Sequence, residues 1–269
     1  DHFITFTEDG KSAARGADIK ASEFPVPMVA NSRITRTKLA LGIPSGYWRA
    51  PGSNVIAFAV QSFIHELAVT ARRDHLEFLL ELMAMPQHGA GDSGASGLNP
   101  ERAARVIAAA AEQAGWNDRR PQGTGLGLAF HYSHAGHIAE VAEVSVDRNR
   151  KLKLRRVTVV ADVGPIINPS GAENQVEGSV IDGFSTMMGL ALSIEEGRVQ
   201  ESNFHEYRPL RMPSAPVIDV QFLDSDYPPT GLGEPALPPL APAVGNAIFN
   251  AIGVRVRELP LVKSGFSVA

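Results

Sequence analysis

The stretch Ile138–Ala161, IAEVAEVSVDRNRKLKLRRVTVVA, decides the fold class. Two apolar runs rich in valine, Ile138–Val146 and Leu152–Ala161, flank the charged interval Asp147–Lys151. Valine at close spacing suits a pleated, half-buried surface, whereas Asp-Arg-Asn-Arg cannot continue a core and supplies turn chemistry. The segment therefore predicts a β-hairpin.

Upstream of this hairpin, from Gly123, runs a glycine-rich lead-in. Further upstream the period changes to that of helices. After Pro51-Gly52, the residues Val55, Phe58, Ala59, Ser62, Phe63 and Leu67 recur at helical spacing. Asp74 with Glu77 forms a capping-box pattern for a second helix, and Asn99-Pro100 opens a third that ends at Gly115 in the C′ role. Between the second and third, Gly89–Gly97 reads as a flexible linker. Pro25, Pro27 and Pro44 break the first 46 residues into short extended pieces such as Ile34–Leu41.

Downstream, Asn168-Pro169 starts a helix through about Met188, whose Gly178 and Gly183 permit close packing. Pro216–Phe222 reads as a strand. Tyr227–Pro242 holds six of the 19 prolines and leads into a helix, Ala243–Ile252, stopped by Gly253. The fold class is α+β, a mixed sheet packed with helices. Three regions follow: residues 1–46 as an extended connecting segment, 47–120 as a helical layer, and 121–269 as an α+β region.

With 269 residues, 44% hydrophobic and 20% charged, the chain can bury a core as one large or two modest domains. Its net charge of -4 and the lack of a basic run with interleaved aromatics exclude nucleic acid as a partner. Apolar stretches such as Val55–Val60 fall short of the ~20 residues needed for a transmembrane segment, so none is expected. The chain has no cysteine, which excludes thiolate catalysis, Cys-ligated zinc and iron–sulfur clusters held by this chain. It begins with Asp1, as expected of a processed chain or a piece of a longer one.

Four places have residues suited to chemistry. Glu234 stands in Gly231-Leu232-Gly233-Glu234-Pro235, where glycines allow close approach to a ligand and the proline biases Glu234 towards extended backbone. Such a carboxylate, presented into a dry cleft, would have a raised pKa and serve as a base; equally, the segment reads as a turn with a solvated Glu. Trp48-Arg49-Ala50-Pro51-Gly52-Ser53-Asn54 offers free N–H groups and a cation at a helix N-terminus, or is a plain helix entry. Gln175 on a small-residue helix reaches a ligand or bonds within the protein. His131, His134 and His137 form a spaced trio. Placed on one strand, His131 and His137 would share a face and His134 would point away, which leaves a metal site or pocket-lining residues open.

In sequence order, Tyr47-Trp48-Arg49-Ala50-Pro51-Gly52, Asp162-Val163-Gly164 with Ile167-Asn168-Pro169, Gln175-Val176-Glu177-Gly178, and Gly231-Leu232-Gly233-Glu234-Pro235 together resemble the large subunit of molybdenum hydroxylases of the xanthine oxidase superfamily. The run Pro238-Pro239-Leu240-Ala241-Pro242-Ala243-Val244 with Asn246-Ala247-Ile248-Phe249 is most similar to the isoquinoline 1-oxidoreductase β-subunit and aldehyde oxidoreductase subfamily. The resemblance covers about Ala17 to Pro260.

That resemblance implies a molybdopterin-binding catalytic subunit that oxidises an aldehyde or N-heteroaromatic compound with water-derived oxygen. It makes Glu234 the general base, Arg49, Ala50, Gln175 and Gly233 cofactor-binding, and Trp48, His131 and Tyr132 candidates for the substrate pocket, with the molybdenum held by the pterin and not by protein ligands. The cofactor is expected in its cytosine dinucleotide form, with [2Fe-2S] clusters on an iron–sulfur partner and a cytochrome c or flavin subunit as a further candidate partner. The family's Gly-Gln-Gly and Gly-Gly-Gly-Phe-Gly pterin loops are not in this sequence, so about one third of a catalytic subunit is expected here and the loops on the remaining part. Compartment stays open between periplasm and cytoplasm, with a lean to the periplasm because a twin-arginine signal is common in related subunits. Two other classes fit the residues: a non-catalytic scaffold subunit, and a metallohydrolase built on the histidine trio.

Overall fold

The computed structural model describes residues 22–40, 46–88 and 97–269, and the backbone of 2–7. The linker expected at Gly89–Gly97 lies, apart from Gly97, outside the described residues. A short parallel pair, β1 (His2–Thr7) and β2 (Thr35–Ala40), precedes three helices, α1 (Ser53–Thr70), α2 (His75–Ala84) and α3 (Pro100–Gln113). The expected caps are in place. Asp74 accepts from Glu77 N at 3.1 Å and Asn99 from Arg102 N at 3.0 Å, each satisfying a helix N–H that has no intrahelical partner.

The main sheet follows: β3 (Thr124–Ser133), β4 (Gly136–Val146) and β5 (Lys151–Asp162) run antiparallel in succession. After α4 (Pro169–Gly189) and a small hairpin, β6 (Ile194–Glu195) and β7 (Arg198–Val199), strand β8 (Val217–Phe222) joins β5 in parallel. Helix α5 (Leu240–Ile252) and β9 (Ser267–Val268), which pairs with the start of β5, complete the described strands and α-helices. The sheet is mixed and buried on both faces, hence its near-continuous apolar strands. One core joins it to α4 and α5 through Ile138, Val159, Val180, Phe184, Val244 and Ile248. The other joins it to α2 and α3 through Phe130, Val141, Leu79 and Ile107.

The β4–β5 register shifts at Glu143/Val144, where Arg156 opposes Glu143 and Leu154 opposes Val144. Arg155 is the extra residue. Without it, Leu152 and Leu154 would face away from Val157, Val159 and Ala161, and all five lie in the same core.

The glycine-rich lead-in is the edge strand β3. A Cβ at Gly125 would lie 2.4 Å from Ala247 O, and one at Gly127 2.1 Å from Ala243 O, so the backbone of α5 lies directly on these glycines. The open edge is capped by side chains: Asn246 and Asn250 donate to Leu128 O and Leu126 O at 3.1 and 2.7 Å, and Gln61 accepts from Phe130 N at 3.2 Å. A buried sheet edge left without such partners would strand polar backbone groups.

The apolar residues that mark the period of helix α1 are not the ones it buries. Ile56, Ala57, Gln61, Ile64, His65 and Ala68 are buried, whereas Val55 and Phe63 are 72% and 51% exposed. The helix is apolar on both sides, and the requirement that Gln61 meet the β3 edge selects the inner one. Phe63 and Leu67 instead line an apolar groove of ≈ 640 Å³ with Val26, Phe78 and Met85. Among the described residues no single helix is long and apolar enough to cross a membrane, and the pair α1 and α2, which qualifies only in sum, is bent by 110°.

Candidate active site

A buried ion pair sets the frame for the site. Arg102 on α3 donates to both carboxylate oxygens of Asp162 at 2.8 and 2.7 Å, and Ser225 adds a bond of 2.7 Å. Burial alone would raise the Asp162 carboxyl, but the hydrogen bonds from Arg102 and Ser225 outweigh it and hold it below its ordinary range. The next residues of this motif anchor the proline-rich loop. Val163 O accepts from Thr230 N at 2.8 Å, and Gly164, at φ 74°, lets Tyr227 and Pro228 approach where a Cβ would sit 2.6 Å from their carbonyls.

That loop meets the segment before α1 and the first half of α4. Arg49 Nε donates to Gly233 O at 2.6 Å, and its Nη2 donates to Gln175 O at 3.0 Å and Gln175 Oε1 at 3.3 Å. Nη1 lies 3.8 Å from Asp182, whose carboxyl is pushed up by burial and only partly restrained by the Arg49 charge. One guanidinium thus ties three segments together, a task suited to its planar fork of donors. Ala50 N donates to Glu234 Oε1 at 3.0 Å. Ala50 holds a left-handed φ of 55°, a conformation costing about 1–3 kcal/mol for a residue with a Cβ, and Asn54 braces the turn by donating to Arg49 O at 2.7 Å.

The second oxygen of Glu234 lies 2.8 Å from His134 Nε2. His134 and Ala135, at φ 52° and 61°, form the two-residue turn between β3 and β4, so the three histidines do not sit on one strand. His131 is buried on β3, 3.9 Å from Glu23, and burial and the nearby His134 charge bring its pKa down to about 4. His137 Nε2 accepts from Asn99 N at 2.9 Å, and its pKa is lowered to about 3 by burial and then by the Arg102 charge. Among the described residues no three His, Asp or Glu side chains group to hold a metal ion.

Of the residues singled out in the sequence, Arg49, Ala50, Gln175, Gly233 and Glu234 come together. Trp48 is exposed beside them, and Tyr132 is half-buried with its phenol pushed up by burial. The Glu234 side chain is 37% exposed, so the described residues do not by themselves enclose the dry cleft expected around it. His134 stood out in the sequence only as one of the histidine trio and not as a partner of Glu234, and Asp182 had no signal as a site residue. A His-Ala turn lacks the Asn-Gly mark of two-residue hairpins, and Gly136 is the one local cue.

Residues 95–216 match the Molybdopterin cofactor-binding domain. The chain is 32% identical over 222 residues to a membrane-bound aldehyde dehydrogenase of Gluconacetobacter polyoxogenes, whose name carries pyrroloquinoline-quinone, covering 80% of this chain and 29% of that protein. It is also 32% identical over 220 residues to isoquinoline 1-oxidoreductase subunit beta of Brevundimonas diminuta, covering 80% and 26%. In fold it is similar to the aldehyde oxidoreductase of Desulfovibrio desulfuricans, with a TM-score of 0.71 at 14% identity over 96% of this chain and 45% of that one. The chain spans less than a third of the length of those two curated relatives. With a matched cofactor-binding domain and relatives at this identity, the chain belongs to the molybdopterin-binding large subunits of the molybdenum hydroxylase family.

Proposed function

We propose that this chain is the C-terminal part of the catalytic subunit of a molybdenum-dependent hydroxylase that oxidises an aldehyde or an N-heteroaromatic compound with oxygen from water. The observation that carries this reading is the carboxylate of Glu234, held by Ala50 N–H and His134 on a loop that Arg49 ties to Gln175.

The residues fit a pterin-held metal. Over Gly231 and Gly233 an added Cβ would meet no atom within 4 Å, which leaves room for a large group against the backbone. Arg49 supplies a cation to an anionic ligand. Gln175, whose Oε1 accepts from Arg49, keeps its amide NH2 to donate. These residues and Ala50 would hold the cofactor, with Trp48, His131 and Tyr132 in or near the substrate pocket. When bound, the cofactor supplies a two-electron oxidation with water as the oxygen source, and its dithiolene provides the sulfur ligands that a cysteine-free chain does not.

Glu234 is the base of this site. Oε1 accepts a hydrogen bond from Ala50 N and Oε2 lies 2.8 Å from His134 Nε2, and each oxygen keeps a lone pair free to take a proton. Closure by the remaining part of the subunit would exclude water and strengthen every interaction of that carboxylate. The outward apolar stripe of α1, with the groove beside it, is a surface such a part would cover.

The cofactor is proposed in its cytosine dinucleotide form. An iron–sulfur partner subunit holding [2Fe-2S] clusters would accept the electrons, with a cytochrome c or flavin subunit as a further candidate partner. Metal analysis of the native complex purified through this chain tests the reading. Near-stoichiometric molybdenum with iron and a companion polypeptide supports it, and zinc without molybdenum contradicts it.

A further inference from the structure

We propose that His134 is a positioning residue for Glu234, fixing which way the carboxylate faces. The inference rests on the reading of Glu234 as the base. An ion pair between two partly exposed side chains is ordinarily worth little, since both must be ordered to form it. Here the ordering is done by the fold. His134 sits in a two-residue turn whose two residues both take left-handed φ, 52° and 61°, so the ring is carried by a short, stiff connection.

The turn also rests on the loop it serves. A Cβ at Gly136 would meet Val163 at 3.1 Å and Pro235 at 3.3 Å, so glycine at this position brings the β3–β4 turn onto the residue following Glu234. On the opposite side, Ala50 N–H takes Oε1 at 3.0 Å while His134 Nε2 lies 2.8 Å from Oε2. A carboxylate gripped at both oxygens has its rotation about the last side-chain bond stopped, and its remaining lone pairs point in fixed directions. Arg49 does not perform this task, because its Nε and Nη2 are committed to Gly233 O and Gln175. The neighbouring His131 is buried and reaches Glu23 instead.

The test uses the full protein in its native complex, with His134→Ala, His134→Gln and Glu234→Gln compared with the parent for kcat, KM and molybdenum content. His134→Ala is expected to lower kcat about tenfold with KM and molybdenum content unchanged, the scale of one lost close contact to a carboxylate whose orientation sets the rate. His134→Gln, which restores an N–H donor at similar reach, recovers most of that loss. Independently of turnover, with 15N-labelled histidine the ring-nitrogen resonance of His134 moves on Glu234→Gln.

Unchanged kcat in His134→Ala while Glu234→Gln abolishes turnover would overturn this inference alone. Loss of molybdenum in His134→Ala, or a His134 resonance indifferent to Glu234→Gln, would also overturn it. Full turnover in Glu234→Gln would instead remove the reading on which it rests. If His134→Ala does not fold, His134→Gln and the resonance decide.

Discussion

Ala50 and Glu234, 184 residues apart in sequence, are joined by a hydrogen bond from the backbone N–H of one to the carboxylate of the other at 3.0 Å. A backbone donor cannot be deleted by side-chain substitution, so this contact depends on how the Arg49-Ala50-Pro51 turn is held. Arg49 holds it, through Gly233 and Gln175.

Replacing Arg49 by Lys is accordingly not a mild change. A single ammonium cannot bridge Gly233 O and both acceptors of Gln175. Arg49→Lys is expected to lower kcat/KM about 100-fold in the assembled enzyme, the scale of a misplaced catalytic group. Because the side chain is partly exposed, the melting temperature should change little. Steady-state kinetics with a parallel thermal melt checks both.

The seat of α5 on β3 has no slack. A Cβ at Gly127 would lie 2.1 Å from Ala243 O and 2.2 Å from Ala247 N, both backbone atoms that cannot move independently of the helix. Gly127→Val is expected to destabilise the fold by about 3 kcal/mol, the upper range for overpacking. Gly231→Ala, with open space at the same atom, is expected to leave stability within about 0.5 kcal/mol. Denaturant unfolding of the two variants makes the comparison.

Arg102 and Asp162 are both buried, so removing one partner leaves the other charge uncompensated. Arg102→Met is expected to cost about 3–5 kcal/mol. The double variant Arg102→Met with Asp162→Leu should recover part of that loss. A double-mutant cycle in urea measures it.

Four buried histidines make the fold sensitive to acid. Burial lowers His65 and His131 to about 4 and His137 to about 3, while burial and the neighbouring His65 and Arg255 charges hold His75 well below its usual value. Between the ordinary 6.5 and these values the unfolded chain binds protons that the folded chain does not, so stability falls as pH drops below about 6.5. Glu140 acts in the opposite sense. Fully buried without a hydrogen-bond partner among the described residues, its carboxyl is pushed well above the ordinary 4.5 by burial, and the folded chain keeps a proton there that the unfolded chain releases. That cost is present at neutral pH and shrinks towards pH 4.5, but one carboxyl does not offset four histidines. Melting temperature is expected to fall by about 5–10 °C between pH 7 and pH 5. Glu140→Gln is expected to raise it at pH 8 and to leave it nearly unchanged at pH 4.5. Scanning calorimetry across this range checks the sign of both effects.

The hairpin at Ile138–Ala161 and the caps at Asp74 and Asn99 were readable because they depend on local patterning and local hydrogen bonds. Strand β3 was not, because Gly125 and Gly127 have no side chain to show a period, and their reason lies in α5 some 120 residues away. The inward face of α1 was hidden by a helix apolar on two sides, decided by Gln61 meeting Phe130 N. At the site, Arg49, Gln175 and Glu234 stand out by motif and family resemblance. His134 stands out only within the histidine trio, and its pairing with Glu234 does not, since a left-handed His-Ala turn has no local signature and its partner lies 100 residues further on.

The central claim is that Glu234 is the proton acceptor of a molybdenum-dependent oxidation, and Glu234→Gln tests it most directly. The amide keeps the size of the side chain and an acceptor for Ala50 N–H but removes the base. The account predicts a loss of turnover of about 10³-fold or more in the assembled enzyme, with molybdenum content and fold unchanged. Turnover within about twofold of the parent, at full molybdenum content, would contradict it.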